Sequence, residues 1–315
     1  MDDLSDPASI RLARDLTRLG RDSRDLSRGA LRGQFVRLRR GVYLPSATWA
    51  ESEQRALLRM RAVALSARRS PLFSHRSAAT AWGIPFLTAG APLAETLVAP
   101  ARGGRSGRGI VRRCVDLDAV SIATVDGFRV TSVERTLIDL ALTTSFASAV
   151  IALDFCLSTG DGTRAPLTTL ELVRSELDGL GIRRGLSRVL RTIDFADGRS
   201  ESPNESLSRV RFLELGFPAP ELQVEFMHHT GITDRVDFFW RDFGHIGETD
   251  GLVKYTDPRL RGGRSAEQVV VAEKLREDRL RSQQPRFSRW TWRDAYAPER
   301  LRAILLAAGL PSRGR

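Results

Sequence analysis

Cysteine is nearly missing: Cys114 and Cys156 are the only two in 315 residues. They lie far apart, without the paired spacing of a zinc site, and two thiols are too few for a disulfide-built scaffold. Lysine is equally scarce. Lys254 and Lys274 are the only ones, so every other basic residue is arginine. No stretch reaches the roughly 18 uninterrupted apolar residues of a membrane-spanning helix, which excludes that class of membrane protein. The first residues include Asp2, Asp3 and Asp6 and lack a basic-then-apolar export pattern, so the expected compartment is the cytoplasm.

Hydrophobic residues make up 42% of the chain and charged residues 28%, a balance that suits folded globular structure. The length predicts two or three domains. Against 38 acidic residues stand 49 basic ones, a formal net charge of +11. Such a surface favours polyanions, with nucleic acid ahead of an anionic membrane.

Residues 1–50 read as a small winged helix-turn-helix. Ile10, Leu12, Ala13, Leu16 and Leu19 recur at helical spacing and stop at Gly20. Asp22 or Ser23 then caps a second helix carrying Leu26, Ala30 and Leu31. Arg24, Arg28 and Arg32 recur every fourth residue on that helix and form one basic stripe. Phe35 to Tyr43 alternates apolar with basic residues and turns at Gly41, which fits a wing carrying Arg37, Arg39 and Arg40. A helix in the major groove with flanking cations on phosphates is the function this layout suits; a solvated arginine face is the alternative.

Residues 51–198 read as a mixed α/β middle domain with a helical connector. Helices are expected over Glu51–Arg69, from Ser74 to about Gly83, and after Thr131, with short strands at 93–98, 110–114 and 128–130. The glycine-rich basic loop 102–109 lacks the strand-to-helix context and following lysine of a phosphate loop. His75 stands beside Ser74 and Ser77, but the sequence places no carboxylate to orient it, and a helix-start role is the simpler reading.

Residues 199–315 carry the most chemistry. Ser202 and Glu205 have capping-box spacing, with Pro203 at the first helical position. A strand over 222–226 precedes a hairpin, 234–240 and 245–251, closed by the loop 241–244. Pairing Trp240 with His245 sets Asp237 opposite Glu248, with Asp250 two residues further along the Glu248 face. Directly opposed carboxylates repel, and Mg²⁺ held by Asp237, Glu248 and Asp250 would compensate. Lys254 follows within reach and would supply a compact charge. The alternatives are a solvated acidic face or an ion pair from Arg235 to Asp250, which the same register sets opposite each other.

These residues together resemble the very-short-patch-repair-like branch of the PD-(D/E)XK nuclease superfamily: a helix glutamate, the strands RVDFFW and ETDG, and the helix EKLREDRLR. The resemblance implies a restriction-endonuclease-like α/β domain with a central mixed sheet, within an overall α/β (α+β) chain. It also implies Asp237 and Glu248 as metal ligands; with Mg²⁺, the expected catalytic set is these two together with Asp250, Lys254 and Glu205. The family's catalytic lysine falls two residues beyond Glu248, where this chain has Asp250. The segments FVRLRRGVYLP, SHRSAATAWGIP and DGFRVTSVERTLIDLA resemble AbiEi-type antitoxin regulators of type IV toxin-antitoxin systems. That likeness implies promoter DNA as the partner, and a toxin as a second one. Two functions follow as expectations: Mg²⁺-dependent DNA cleavage, or regulation by a chain whose nuclease-like domain only binds.

Overall fold

In the computed structural model the local signals resolve into a mixed α/β architecture. It describes residues 10–20, 22–51, 54–88, 93–100, 106–107, 109–160, 162, 164–229, 231–250, 266–284 and 286–313. The chain divides into two compact units, Met1–Ser145 with Thr168–Val189, and Phe146–Leu167 with Leu190–Arg315. Neither is a single continuous stretch.

The first unit begins with β1 (Arg11–Leu12), α1 (Ala13–Arg18), α2 (Arg24–Leu31), β2 (Phe35–Arg39) and β3 (Val42–Pro45). The strands form an antiparallel sheet in the order β1-β3-β2. Periodicity alone predicts helix from Ile10; Arg11 and Leu12 are drawn into strand instead because they pair with Tyr43 and Val42. Asp22 Oδ1 accepts from the Arg24 amide at 2.8 Å and starts α2. Gly29 is required inside α2, since a Cβ there would stand 2.7 Å from the Phe35 ring. Gly41 turns the hairpin at a φ of +76°, a conformation other residues adopt only with strain. Two further helices, α3 (Ser46–Glu51) and α4 (Arg55–Ser66), follow; from α4, Leu58 and Ala62 bury against Ile10, Val42 and Leu44.

The rest of this unit is built on a five-stranded sheet. Its strands are β4 (Leu72–Phe73), β5 (Ala94–Val98), β6 (Ile110–Cys114), β7 (Ile122–Val125) and β8 (Phe128–Thr131), ordered β6-β5-β4-β8-β7. The pairs β5/β6 and β4/β8 are parallel, the others antiparallel. Asp126 and Gly127, both at positive φ, make the two-residue turn between β7 and β8. The helices α4 and α5 (His75–Trp82) complete its core with Met60, Phe73, Ala78 and Val130 among the buried residues, and α6 (Val133–Thr143) packs on α5.

After α7 (Phe146–Leu157), which belongs to the second unit, α8 (Leu170–Leu180) returns to the first, and α9 (Leu186–Phe195) leads back again. The second unit continues with α10 (Pro203–Glu214), β9 (Glu221–Met227), β10 (Thr233–Trp240), β11 (His245–Asp250) and α11 (Ala266–Gln283). It ends with β12 (Arg286–Thr291), α12 (Trp292–Tyr296) and α13 (Pro298–Ala307). Its sheet runs β12-β11-β10-β9, with β11 and β12 parallel and the rest antiparallel. One face packs on α10, where Phe212 meets Phe238, Trp240 and Trp290 edge-on at 5.1–5.7 Å. On the other face Phe226, Val236, Phe239 and Ile246 close over Leu280 of α11. No helix among the described residues is long and apolar enough to cross a membrane.

Candidate functional site

The hairpin forms in the register expected from its sequence: Trp240 pairs with His245, Phe239 with Ile246 and Phe238 with Gly247. One step further the strands stop behaving regularly. Phe238 faces α10, yet Val236 shares the α11-facing core with Phe239, three residues away. Strict alternation cannot place residues three apart on one face. The slip occurs at Asp237, and β9 slips beside it at Gln223, which takes a φ of +55°.

The consequence is a separation of the acidic residues. Asp237 Oδ2 accepts from the Thr249 amide at 2.7 Å and from its hydroxyl at 2.8 Å. Its charge acts on Glu205 of α10. Glu205 is 6% exposed and has its own partners. It accepts from the Glu201 amide at 3.0 Å, the Ser202 hydroxyl at 2.6 Å and the Gln223 amide nitrogen at 2.8 Å. Burial first, and the Asp237 charge second, raise the Glu205 carboxyl well above the usual carboxylate range.

Glu248 points to the α11 side. Arg276 of α11 bonds both of its oxygens, and Arg289 of β12 adds another bond at 2.8 Å. Glu273 joins the same network through both arginines. A parallel pair, Asp234 with Arg279, forms a fork at 2.8 and 2.9 Å. The expected convergence of Asp237, Glu248 and Asp250 is therefore not formed. Asp237 keeps company with Glu205, while Glu248 is neutralised by two guanidinium groups. Among the described residues no group of three or more His, Cys, Asp or Glu side chains is placed to hold a metal ion. Asp250 closes β11, half-buried and paired with Thr291 of β12. Arg235, the alternative partner for Asp250, instead reaches Glu201 at 2.7 Å. Lys254 lies outside the described residues.

Sequence spacing missed Gln223, Thr249, Arg276 and Arg289, which decide what each carboxylate does. The arginines of the downstream helix are visible as a charged run, but only the packing of α11 on the sheet brings them to Glu248. Of the capping box, the half that uses Ser202 is present: its hydroxyl accepts from the Glu205 amide at 3.2 Å.

In the first unit, Arg24 and Arg28 on α2 and Arg32 at its C-terminal cap are exposed, as are Arg37 and Arg40 on the hairpin. Arg28 is tied to Asp22 and Asp25 at 2.9 and 2.7 Å. Arg39 differs. The β2/β3 register slips between Arg37 and Arg39, and Arg39 turns partly inward, with Nη1 buried. His75 acquires the carboxylate that its sequence neighbourhood lacks: its Nδ1 lies 2.9 Å from the Ser74 hydroxyl and 3.3 Å from Asp139 Oδ2. Both contacts fall on one ring nitrogen, so they do not make a relay from carboxylate through imidazole to hydroxyl. Burial, with Arg113, Arg135 and Arg76 nearby, pushes the imidazole down to about 3.

No family model matches the chain. Two curated proteins of Mycobacterium tuberculosis, the uncharacterized proteins MT2308 (strain CDC 1551 / Oshkosh) and Rv2248 (strain ATCC 25618 / H37Rv), are similar to it. Each is 35% identical over 98 residues, which is 30% of this chain and 36% of theirs. The chain thus spans about a third of the length of these relatives. The crystal structure of the RV2827C protein of Mycobacterium tuberculosis superposes with a TM-score of 0.40 at 18% identity, over 61% of this chain and 73% of that one.

Proposed function

We propose that the protein is a DNA-binding regulator that docks on duplex through residues 10–45 and works in the cytoplasm. The observation that carries this reading is the row of exposed guanidinium groups on α2 and on the β2–β3 hairpin. In the chain, α1 and α2 lie between β1 and that hairpin, and the strands are ordered β1-β3-β2, the strand order of a winged helix-turn-helix. In this reading α2 enters the major groove and the hairpin lies along the phosphates. Glu248, held by Arg276 and Arg289, favours a binding role for the nuclease-like unit over a catalytic one.

The test is titration of labelled promoter-length duplex with full-length protein at several salt concentrations. Arg40→Ala and Arg32→Ala are each expected to weaken binding on every sequence and to lower the salt slope by about 0.9 per lost phosphate contact. An unchanged slope in both variants overturns the reading. A toxin partner of the kind the AbiEi resemblance implies stays a separate proposal, checked by co-purification.

A second reading, Mg²⁺-dependent endonuclease, is favoured by one observation: the buried Glu205 beside the charge of Asp237 at the start of α10. A divalent cation relieves such a pair and lowers the pKa of its bound water. Plasmid nicking that depends on Mg²⁺ and is lost in Asp237→Ala supports it. Equal cleavage by both proteins removes it.

A further inference from the structure

Between the hairpin end of β2 and the five-stranded sheet, the first unit holds a pocket of about 690 Å³. That volume is within the range of small-molecule sites. Its floor is apolar, with Leu72, Leu97 and Ile110 each no more than 4% exposed. Its walls carry Arg39, Arg69, Arg112 and Arg129 against Asp116 and Asp118, so four cations face two anions.

Arg39 is the informative residue. The register slip in β2 turns it away from the solvent face that Arg37 occupies. Its Nη1 is buried and has no hydrogen-bond partner among the described residues. Burial, and then the charge of Arg112, lower its pKa from the usual arginine value. Four guanidinium groups lining one pocket over an apolar floor, with Arg39 and Arg112 near enough for their charges to act on each other, suit an anion entering from the open side. Phosphate matches this geometry because two of its oxygens accept from one guanidinium fork at once.

We propose that this pocket binds a phosphorylated small molecule of nucleotide size, its phosphate against Arg39 and Arg112 and its body over Leu72, Leu97 and Ile110. Arg39 shares β2 with Arg37, so an occupied pocket fixes the strand that carries part of the proposed DNA face. That coupling rests on the regulator reading, whereas the binding itself does not.

The experiment is titration calorimetry of the full chain with AMP and ATP, using adenosine as the uncharged control. Binding of AMP or ATP, absence of binding by adenosine, and a loss of roughly tenfold or more in Arg39→Gln and Arg112→Gln are expected. Because the removed cation has an unmet donor, unliganded Arg39→Gln is expected to melt no lower than wild type. Arg129→Gln, at an exposed position, serves as a further variant and is expected to weaken ATP more than AMP. No heat from either nucleotide at about 1 mM overturns the proposal. So do equal affinities in wild type and both pocket variants, or binding by adenosine as tight as by AMP. Duplex binding that weakens in Arg39→Gln without any nucleotide binding assigns the pocket to DNA phosphates and also overturns it. Loss of nucleotide binding with duplex binding intact leaves the regulator reading standing.

Discussion

Glu248 is 5% exposed and sits on the central strand pair of its sheet, a place where an unpaired carboxylate is costly. Arg276 and Arg289 offset that cost, and removing them leaves the charge stranded. The double substitution Arg276→Met with Arg289→Met is expected to destabilise the protein by about 3 kcal/mol or more, and adding Glu248→Leu to restore most of it. Calorimetric melting of the three proteins checks this, and no recovery in the triple variant refutes it. His245 gives a pH signature. Its ring is fully buried, with Nε2 2.8 Å from the Ser288 hydroxyl, and burial followed by Arg286 lowers it to about 4. The unfolded imidazole takes a proton near 6.5 and the folded one does not, so its stabilising contribution is complete above 6.5 and is lost as pH falls toward 4. Between pH 7 and pH 5 this amounts to about 1–2 kcal/mol. His245→Gln should flatten that part of a melting-temperature profile; an identical acid slope in the variant contradicts the assignment.

At the scale of elements, α10 shows how local and distant constraints combine. Ser202 and Pro203 start it by short-range chemistry, and Ser202→Ala is expected to cost about 1 kcal/mol in urea denaturation. Its end is set from far away. Gly216 has a φ of +73°, and its carbonyl accepts from the Arg313 amide at 2.9 Å. A Cβ there would collide with the Arg313 carbonyl oxygen. Gly216→Ala is therefore expected to cost more than the cap, about 2 kcal/mol or above, because strain and collision add. A cost equal to or below that of Ser202→Ala would show that the C-terminal segment simply moves aside. The paired slips at Gln223 and Asp237 belong to this scale too. Each strand is readable as a strand, and the residue at which both change face is not.

For the whole molecule, the division of the chain matters more than its length. The second unit recruits Phe146–Leu167 from the middle of the sequence. Within that unit, Asp154 of α7 is wholly buried, bonds Arg209 of α10 at 2.7 Å and accepts from the Asp197 amide at 2.8 Å. A fragment of residues 199–315 loses that aspartate and leaves Arg209 without its carboxylate. It is expected to lose fixed near-ultraviolet dichroism or to aggregate, and supplying residues 146–167 is expected to restore order. A fragment that stays fully cooperative alone would count against the shared core.

The sequence by itself determined the elements governed by neighbours a few residues apart. These are the capped start of α10, the Gly41 hairpin, the register of Trp240 with His245, and the arginine stripe of α2. Periodicity, turn chemistry and caps act over such distances, so they are legible without a fold. Only the tertiary structure decided the partners of the charges. Arg276 lies 28 residues beyond Glu248 and reaches it only when α11 packs on the sheet. Asp237 turns to Thr249 and Glu205 only through the slip it shares with Gln223, and Arg39 enters its pocket only through a bulge opposite β3. Each depends on where a distant segment comes to rest, which the free energy of burying the whole core fixes and no local pattern records.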